Sequence, residues 1–479
     1  MKHKIFRLLL ALVCLSGCAT KFENEPLTKA EANEERRSLD VAHSDRPVIL
    51  MSFSGGGVRA TALSWAVLSD LATFDYKSKG ETRSLIDDVS MVSSASGGSV
   101  TAAYFGLYGP QGLPSLESDF LARDNMGALL SDAANPFTWF DLKAIGSSRS
   151  TLVAEMFDDR LFHNKTFAEL NKPGKPFVVL NATDMVSGEI FPFTPGRFDD
   201  ICSDFDKLPV SIGVASSAAV PVALSPLAFK NYSVTHCQGR TTPQWIKTQL
   251  EEPYAAYSNI ERYKRARYAN DLRRGPDPFR DIQYLYLVDG GLADNLGLHS
   301  IHEAVTSSNG MGELLYHINE GNIRKLVVIV VNSRSDAPNP IYESPDRPGV
   351  FGMIGSVASV PIDSTTSGTN AQMESLLAEI KAAASVHEND AKFEGMKVYG
   401  IQIDFDQLPS STEAERTLRD KAKAIPTSWT MSEENRNIIK EVGPELLRNH
   451  PCFQHLLMDM KIKAPFVNKD FAHNECPIE

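Results

Sequence analysis

The chain has 479 residues, 42% of them hydrophobic, and carries a formal net charge of −12 at pH 7. An acidic chain argues against nucleic acid as a partner, because phosphate backbones are bound through basic surfaces. This length and apolar content allow a large buried core, and no low-complexity linker divides the chain, so we expect one globular body beyond the amino-terminal segments.

Residues 1–17 have the pattern of a secretory signal peptide, in which three basic residues precede a short apolar run that ends in small residues. Cys18 follows the sequence Leu-Ser-Gly, which resembles the bacterial lipobox, whose cysteine is lipidated and becomes the first residue after cleavage. An ordinary signal peptide or a short membrane anchor is the alternative, but the apolar run is far shorter than the roughly 20 residues that span a bilayer. We therefore expect a protein anchored by lipid to a phospholipid membrane.

The segment 18–45 is polar and charged with little apolar periodicity, and we expect it to be a flexible tether. Loss of the signal peptide removes three basic residues and leaves 45 Lys and Arg against 60 Asp and Glu, a net charge of −15. Ala19 stands at the position where an aspartate resembles the signal that retains many Gram-negative lipoproteins at the inner membrane. We therefore expect a bacterial envelope protein in the outer membrane, facing the periplasm.

Five short apolar runs bounded by turn residues predict strands that are buried on both faces of a sheet. They are 48–53 (VILMSF), 177–183 (FVVLNAT), 284–289 (YLYLVD), 325–333 (KLVVIVVNS) and 398–405 (VYGIQIDF). Helical patterns lie between them, for example at 58–74 and 370–386. This alternation predicts an α/β fold, a three-layer sandwich with a central, mainly parallel sheet.

The first glycine-rich motif, SFSGGGVRA at residues 52–60, joins the first predicted strand to a helix. Its glycines let backbone N–H groups converge, and the helix adds the positive end of its dipole, so the loop is suited to hold a phosphate or an oxyanion. Ala60 stands where a dinucleotide-binding loop has its third glycine, and the loop lacks the lysine of a nucleotide P-loop. The motif is therefore weak evidence for a nucleotide site.

The second motif, MVSSASGGS at residues 91–99, matches the nucleophile elbow G-x-S-x-G except that Ser94 replaces the first glycine. Small neighbours allow the backbone of a nucleophile to adopt an unfavourable angle and its hydroxyl to project. Ser96 is therefore a candidate nucleophile. A plain polar loop is the alternative, because S-x-S-x-G sequences also arise by chance.

Residues 242–281 differ in composition from the rest of the chain, because they are rich in Lys, Arg, Glu and Tyr. We expect an exposed helical insertion with a solvated charged face. On a protein tethered to lipid, the alternative is that its basic and aromatic residues contact a bilayer.

The third motif, LVDGGLADNLGLHS at residues 287–300, begins with an apolar strand that ends at Asp289 and is followed by two glycines. A carboxylate at the carboxyl end of a strand points toward the rim where open α/β sheets place their ligands. A turn aspartate before Gly-Gly is the alternative.

Four cysteines remain once the signal peptide and Cys18 are set aside, and an oxidising envelope favours their pairing. They are Cys202, Cys237, Cys452 and Cys476. Three connectivities are possible, and nearness in the chain suggests pairs within the first two and within the last two. Free buried thiols are the alternative.

Taken in order, SGGGVRA, SASGG and DGG resemble the motifs of the patatin-like phospholipases and the related cytosolic group IV phospholipases. The resemblance covers roughly residues 46–335 and is supported by 181–189 (NATDMVSGE) and 215–227 (ASSAAVPVALSPL). Ser94 and Ala60 depart from the glycines of the family pattern. The rest of the chain after about residue 340 carries no motif of the family, so we expect a carboxyl-terminal extension there.

The resemblance implies a patatin-like fold and a serine–aspartate dyad, in which Ser96 is the nucleophile and Asp289 its base. It also implies that the amides of Gly55, Gly56 and Gly57 stabilise the oxyanion. Arg59, in the first turn of the following helix, would then lie within reach of a lipid phosphate, with a structural ion pair as the alternative. The implied function is an envelope-anchored lipid acyl hydrolase that cleaves esters of phospholipids or lysophospholipids.

The sequence is also consistent with one other mechanism and one other function. His299 follows Asp289, so a Ser-Asp-His esterase or thioesterase is an alternative mechanism. A lipoprotein that keeps the fold but only binds lipid or an envelope partner is an alternative function. We expect no cofactor and no metal, because His299 and His302 have ligand spacing but lack a third ligand nearby.

Overall fold

A mixed sheet of nine strands organises the fold. The computed structural model describes residues 20–21, 23–28, 45–127, 149–221, 223–237, 239–251, 260–273, 282–306, 314–334, 368, 371–382, 395–467 and 476. The strands of the chain are β1 (Thr20–Lys21), β2 (Val48–Phe53), β3 (Asp75–Ser78), β4 (Glu81–Ser84), β5 (Val89–Ala95), β6 (Phe177–Asp184), β7 (Ile190–Pro192), β8 (Leu227–Lys230), β9 (Tyr284–Asp289), β10 (Lys325–Asn332) and β11 (Lys397–Asp404). Strands β3 and β4 form a separate hairpin, and the others belong to the main sheet.

The strand order across the sheet is β1-β8-β9-β6-β5-β2-β10-β11, with β7 also paired to β6. The five strands from β6 to β11 in this order run parallel to one another. Strand β9 runs antiparallel to both of its neighbours, β6 and β8. The prediction of a mainly parallel centre is confirmed.

Helices cover both faces of the sheet. They are α1 (Gly57–Leu71), α2 (Gly98–Tyr108), α3 (Leu113–Leu116), α4 (Arg149–Phe157), α5 (Phe167–Leu170), α6 (Pro195–Asp200), α7 (Val210–Ser217), α8 (Ser233–His236), α9 (Gln244–Glu251), α10 (Ile260–Arg273), α11 (Gly291–Asp294), α12 (Leu298–Thr306), α13 (Leu314–Asn319), α14 (371–382), α15 (Glu413–Lys423), α16 (Glu433–Asn449) and α17 (Pro451–Asp459). Short π-helical turns follow α3 and α4.

Alternate residues of each central strand enter two different hydrophobic clusters, because successive side chains of a strand point to opposite faces. In β2, Ile49 and Met51 pack with α1, α2 and α16, whereas Val48 and Leu50 pack with α12, α13 and α14. The sheet is therefore the middle layer of an α/β sandwich, as predicted.

The five predicted strands are all present within one residue of their expected bounds. Strand β5, which leads to Ser96, was not predicted, because its sequence VSMVSSA contains three serines and reads as a polar loop. The structure buries two of these serines and pairs them: the Ser93 Oγ donates to the Gly297 carbonyl at 2.5 Å, and the Ser94 Oγ lies 3.1 Å from the Ser99 Oγ. Internal hydrogen bonds thus make a serine-rich strand compatible with the core.

Part of the segment expected to be a flexible tether is held against the sheet. Strand β1 pairs with β8 at the sheet edge. Asn24 is buried, and its Nδ2 donates to the Ser203 Oγ and the Lys230 carbonyl, both at 2.9 Å. These bonds satisfy a polar side chain inside the protein and hold residues 23–28 against the body. The predicted signal peptide and Cys18 lie outside the described residues.

The insertion predicted at 242–281 contains helices α9 and α10. Helix α10 has two faces: Tyr268 and Leu272 are buried against the body, whereas Lys264 and Arg267 are exposed. Disulfides join Cys202 to Cys237 and Cys452 to Cys476, the pairs that nearness in the chain suggested. The region after residue 340 adds β11 to the main sheet and α16 to the layer that contains α1. Over the described residues, no helix combines the length and apolar character that a bilayer crossing requires.

Candidate active site

Ser96 occupies a sharp turn between β5, which ends at Ala95, and α2, which begins at Gly98. Its φ is +49°, in the left-handed region that residues with a Cβ seldom adopt. A methyl group on Gly97 would overlap the Gly57 carbonyl, and one on Gly98 would overlap the Ser54 carbonyl. Small residues are therefore required after Ser96, and the turn has the geometry of a nucleophile elbow.

Ser94, which replaces the usual first glycine of the elbow, belongs to a chain of hydroxyl groups beneath Ser96. Its Oγ lies 3.1 Å from the Ser99 Oγ, which is 2.8 Å from the Ser217 Oγ. Ser217 donates to the Asn181 carbonyl at 2.6 Å, so Ser99 donates to Ser217 and accepts from Ser94. The Ser96 N–H also donates to the Ser217 Oγ at 3.0 Å. A serine at 94 thus helps to fix the backbone of the elbow.

Asp289 lies directly beside Ser96 and is 2% exposed. The Ser96 Oγ donates to the Asp289 Oδ2 at 2.7 Å, and the Gly291 N–H donates to Oδ1 at 2.8 Å. Burial raises the pKa of the Asp289 carboxyl to about 6, although both hydrogen bonds act to lower the pKa. A carboxylate with this pKa is a better proton acceptor at neutral pH than an exposed aspartate.

Asp289 reaches Ser96 on a strand that runs against the parallel centre of the sheet. Strand β9 runs antiparallel to β6 and places Asp289 opposite Ala182, one residue beyond Asn181. Asn181 is the partner of Ala95, which precedes Ser96. Ser96 and Asp289 therefore lie at the same level along the strands, although the strands that carry them run in opposite directions.

Of the three glycine amides that were predicted for the oxyanion site, one is bonded within the protein. The Gly55 N–H donates to the Asn295 carbonyl at 2.9 Å, so it is committed within the protein. Gly56 and Gly57 have φ values of +139° and +59°, and neither N–H donates to any residue in the described part of the chain. The prediction for Gly55 is therefore wrong, because its amide holds the loop to the segment after Asp289.

Arg59 does not extend toward the rim of the site, as the phosphate-binding prediction requires. It is 4% exposed, and its Nε donates to the Ser333 carbonyl at 2.7 Å while its Nη1 donates to the Ile425 carbonyl at 2.5 Å. Burial lowers the pKa of the Arg59 guanidinium to about 10, so it stays protonated at neutral pH. The structural alternative fits these contacts, although the partners are backbone carbonyls rather than an acidic side chain.

A segment between α15 and α16, residues 424–432, lies against the glycine loop, and we call it the strap. The Ser428 carbonyl accepts from the Val58 N–H at 2.8 Å, and a Cβ on Gly57 would overlap that carbonyl oxygen. The Trp429 ring packs edge-on against Phe157, with centroids 5.6 Å apart. The carboxyl-terminal region thus borders the site, which its sequence did not indicate.

His299 is not part of the arrangement around Ser96. Its backbone N–H donates to the Asp294 Oδ2 at 2.7 Å, while the two carboxylate oxygens of Asp289 are bonded to Ser96 and Gly291. A Ser-Asp-His triad would need the imidazole between serine and aspartate, where the direct 2.7 Å bond leaves no room. Within the described ranges, no group of three or more His, Cys, Asp or Glu side chains is placed to hold a metal.

A cleft of about 560 Å³ lies elsewhere on the molecule, lined by residues that include Arg46, Asp88, Tyr108 and Lys175. These residues surround the amino ends of the central strands. Ser96 follows the carboxyl end of β5, so the cleft is at the opposite edge of the sheet and is not part of this site.

Comparison with known proteins gives one family match. The family model described as patatin-like phospholipase matches residues 51–302, more than half of the chain, a range that includes the glycine loop, Ser96 and Asp289. No curated protein sequence matches the chain significantly. Among solved structures, human GIVD cytosolic phospholipase A2 is similar with a TM-score of 0.33 and 12% sequence identity; the match covers 60% of this chain and 43% of the length of that protein.

Proposed function

Because the chain belongs to the patatin-like phospholipase family, we propose that it hydrolyses carboxylic esters of phospholipids or lysophospholipids through a dyad of Ser96 and Asp289, while anchored in the bacterial envelope. Family membership supports lipid acyl hydrolysis in general. The observation that carries the dyad is the 2.7 Å hydrogen bond from the Ser96 Oγ to the buried Asp289 carboxylate.

In the acylation step, Asp289 accepts the proton of the Ser96 hydroxyl as Oγ attacks the ester carbonyl carbon. The tetrahedral intermediate then loses its alkoxide, which takes the proton from Asp289 and leaves as an alcohol, so that the acyl group remains on Ser96. Water attacks the acyl-enzyme and gives a proton to Asp289. Cleavage of the acyl bond returns that proton to the Ser96 Oγ and releases a fatty acid.

The oxyanion of each tetrahedral intermediate is stabilised by the amides of Gly56 and Gly57, which lie at the amino terminus of α1. The helix dipole adds a partial positive charge at this point. Removing one such donor typically costs about 10²–10³ in rate. A serine on a strained turn, bonded to a buried carboxylate, makes acyl transfer the chemistry that this geometry supports best.

Anchoring rests on Cys18 and the lipobox pattern around it. Strand β1 begins at Thr20, two residues after Cys18, so the two Cα atoms are separated by at most about 7 Å. An acyl group on Cys18 would hold the sheet edge that contains β1 and β8 close to the membrane. We include the outer membrane in this proposal because Ala19 is not the aspartate that resembles an inner-membrane retention signal.

A fluorophosphonate probe, combined with mass analysis of products from defined phospholipids, tests the proposal. The wild-type protein should be labelled and should release fatty acids, whereas Ser96→Ala should do neither. Ser90→Ala, at the other end of β5, is the matched control and should behave as wild type. A wild-type protein that is neither labelled nor active would favour a lipid-binding lipoprotein instead.

A further inference from the structure

The turn between β6 and β7 exposes two large apolar side chains to solvent. Met185 is 52% exposed and Val186 is 79% exposed. Solvation of such side chains is unfavourable, and single exposed apolar residues are common, but two adjacent ones at the tip of a turn form a projecting apolar point. The two side chains are therefore suited to insert into an apolar environment that removes them from water.

The turn holds these side chains in a fixed position. The buried Asp184 accepts the Val186 N–H on Oδ1 at 3.0 Å and the Ser187 Oγ on Oδ2 at 2.9 Å. The Gly188 N–H donates to the Asp184 carbonyl at 2.8 Å, and the Met185 N–H donates to the Tyr286 carbonyl at 2.8 Å. Met185 and Val186 are therefore presented outward by a rigid backbone rather than by a loose loop.

A basic helix lies beside this turn. The Tyr268 Oη of α10 donates to the Asp184 Oδ2 at 2.8 Å, and Glu189, just after the turn, interacts electrostatically with Lys264 and Glu261. Helix α10 carries five basic and two acidic residues, a net charge of +3 in a chain whose net charge is −12. At its amino terminus, Ile260 is 54% exposed. Exposed apolar and basic groups thus occur together on this part of the surface.

The turn is also close to the dyad. The Thr183 Oγ1 donates to the Asp289 carbonyl at 2.9 Å. Met185 lies three residues beyond Ala182, the strand partner of Asp289, which corresponds to roughly 10 Å along an extended chain. A membrane in contact with this turn would therefore lie near the end of the sheet that carries Ser96.

We propose that Met185, Val186, Ile260, Lys264 and Arg267 form a docking surface for an anionic phospholipid bilayer, from which the substrate enters the site. Apolar side chains at the tip enter the acyl boundary while basic side chains of α10 contact anionic headgroups. Arg265 and Arg273 of α10 pair with Glu303 and Asp200, so the basic groups that α10 presents to a membrane are the exposed Lys264 and Arg267. Their positive charge is complementary to anionic headgroups although the whole chain is acidic. This inference rests on the proposed function and adds to it the surface through which the enzyme meets its substrate.

A tryptophan placed at the tip tests the docking with a readout that does not depend on catalytic turnover. Full-length Val186→Trp is mixed with vesicles of phosphatidylglycerol and acyl-brominated phosphatidylcholine, and its fluorescence is compared with that of the wild-type protein. We expect the added fluorescence to be quenched by the brominated chains. The matched control Glu81→Trp, on the exposed β3–β4 hairpin, should not be quenched. Equal quenching at both positions, or none at Val186→Trp, would overturn the proposal.

Hydrolysis provides the second test, as the rate on phosphatidylglycerol vesicles divided by the rate on a water-soluble short-chain ester. The double variant Met185→Ser, Val186→Ser should lower this ratio about tenfold or more, because it removes the apolar surface that would be buried in the bilayer. Lys264→Gln should lower it about fivefold, whereas the exposed Lys421→Gln should leave it unchanged. An unchanged ratio in all variants would contradict docking. A wild-type protein inactive on both substrates would instead contradict the proposed function, while the quenching result would still decide the docking.

Discussion

The Ser96 Oγ donates a 2.7 Å hydrogen bond to the Asp289 Oδ2 across 193 residues of sequence. Nothing local brings these side chains together: β5 delivers the serine, and the antiparallel β9 delivers the aspartate. Burial then makes the carboxyl basic enough to serve as the partner of a hydroxyl. The reactivity of the site therefore depends on how the sheet is assembled.

The pH dependence of catalysis should follow the ionisation of Asp289. Its pKa in the folded protein is about 6, and only the carboxylate accepts a proton. We expect kcat/KM on a water-soluble ester to rise about tenfold per pH unit below pH 6 and to level off above it. A profile that is flat between about pH 5 and pH 7 would contradict the assignment of Asp289 as the base.

Asp289→Asn should lose activity and gain stability. Asparagine cannot take the proton, so kcat should fall by about 10²–10⁴. The folded protein binds the Asp289 proton more tightly than the unfolded chain, so this group contributes stability below its ordinary pKa of 3.8 and loses it as pH rises through about 6. At pH 7 the variant should be more stable by about 3 kcal/mol, measured by urea unfolding. At pH 3 the two proteins should differ little, whereas an equal gain at both pH values would contradict the ionisation argument.

Gly56→Ala and Gly57→Ala should each reduce kcat by about 10²–10³, because both alter the loop whose amides are the proposed oxyanion donors. Both glycines have positive φ, and an added methyl group would overlap the Ser333 Oγ or the Ser428 carbonyl. Gly174→Ala is the matched control, since Gly174 also has positive φ but has open space around it. If the control loses as much activity as the loop variants, general backbone strain explains the loss instead.

Arg59→Met should lower kcat on a phospholipid and on an uncharged ester by similar factors, with KM little changed. The reason is that Arg59 holds the glycine loop to Ser333 and to the strap, and does not contact substrate. Arg59→Lys should recover part of the activity, because an ammonium group can replace one of the two donors. A loss confined to the phospholipid, mainly in KM, would restore the phosphate-binding role.

His299→Ala should retain most of the esterase activity. The imidazole is not bonded to Asp289, whose two oxygens are both occupied. The measurement is kcat/KM on the same water-soluble ester, with circular dichroism to show that the protein is still folded. A folded but inactive variant would require a histidine in the mechanism.

Predictions from sequence succeeded where the physical signal was local. Continuous apolar runs at 48–53 and 325–333 predicted buried strands because a sheet covered on both faces needs such runs. Strand β5 was missed because Ser93 and Ser94 find hydrogen-bond partners only in the folded protein. The direction of β9 was also beyond prediction, since apolar alternation is the same for parallel and antiparallel strands.

The site shows the same division. The motifs containing Gly56, Ser96 and Asp289 are readable because backbone geometry restricts the residues beside them. The hydrogen bonds of the Gly55 amide and the Arg59 guanidinium could not be predicted from the sequence. Their partners are the backbone carbonyls of Asn295 and Ile425, which are 240 and 366 residues away, and every residue provides such a carbonyl. Ser217 lies in the stretch 215–227 that supports the family resemblance, but that sequence does not indicate that Ser217 bonds to the elbow.

The strap has a consequence for where this protein can be divided. The family match ends at residue 302, yet β10 and β11 complete the sheet beyond β2, and Ser428 closes the glycine loop. A fragment cut at the family boundary would expose β2 as an unpaired edge, prone to pair with other chains, and would lose the contacts that fix its oxyanion donors. The boundary recognised by homology is thus not a boundary of folding, and the catalytic unit of this chain extends through its carboxyl-terminal helices.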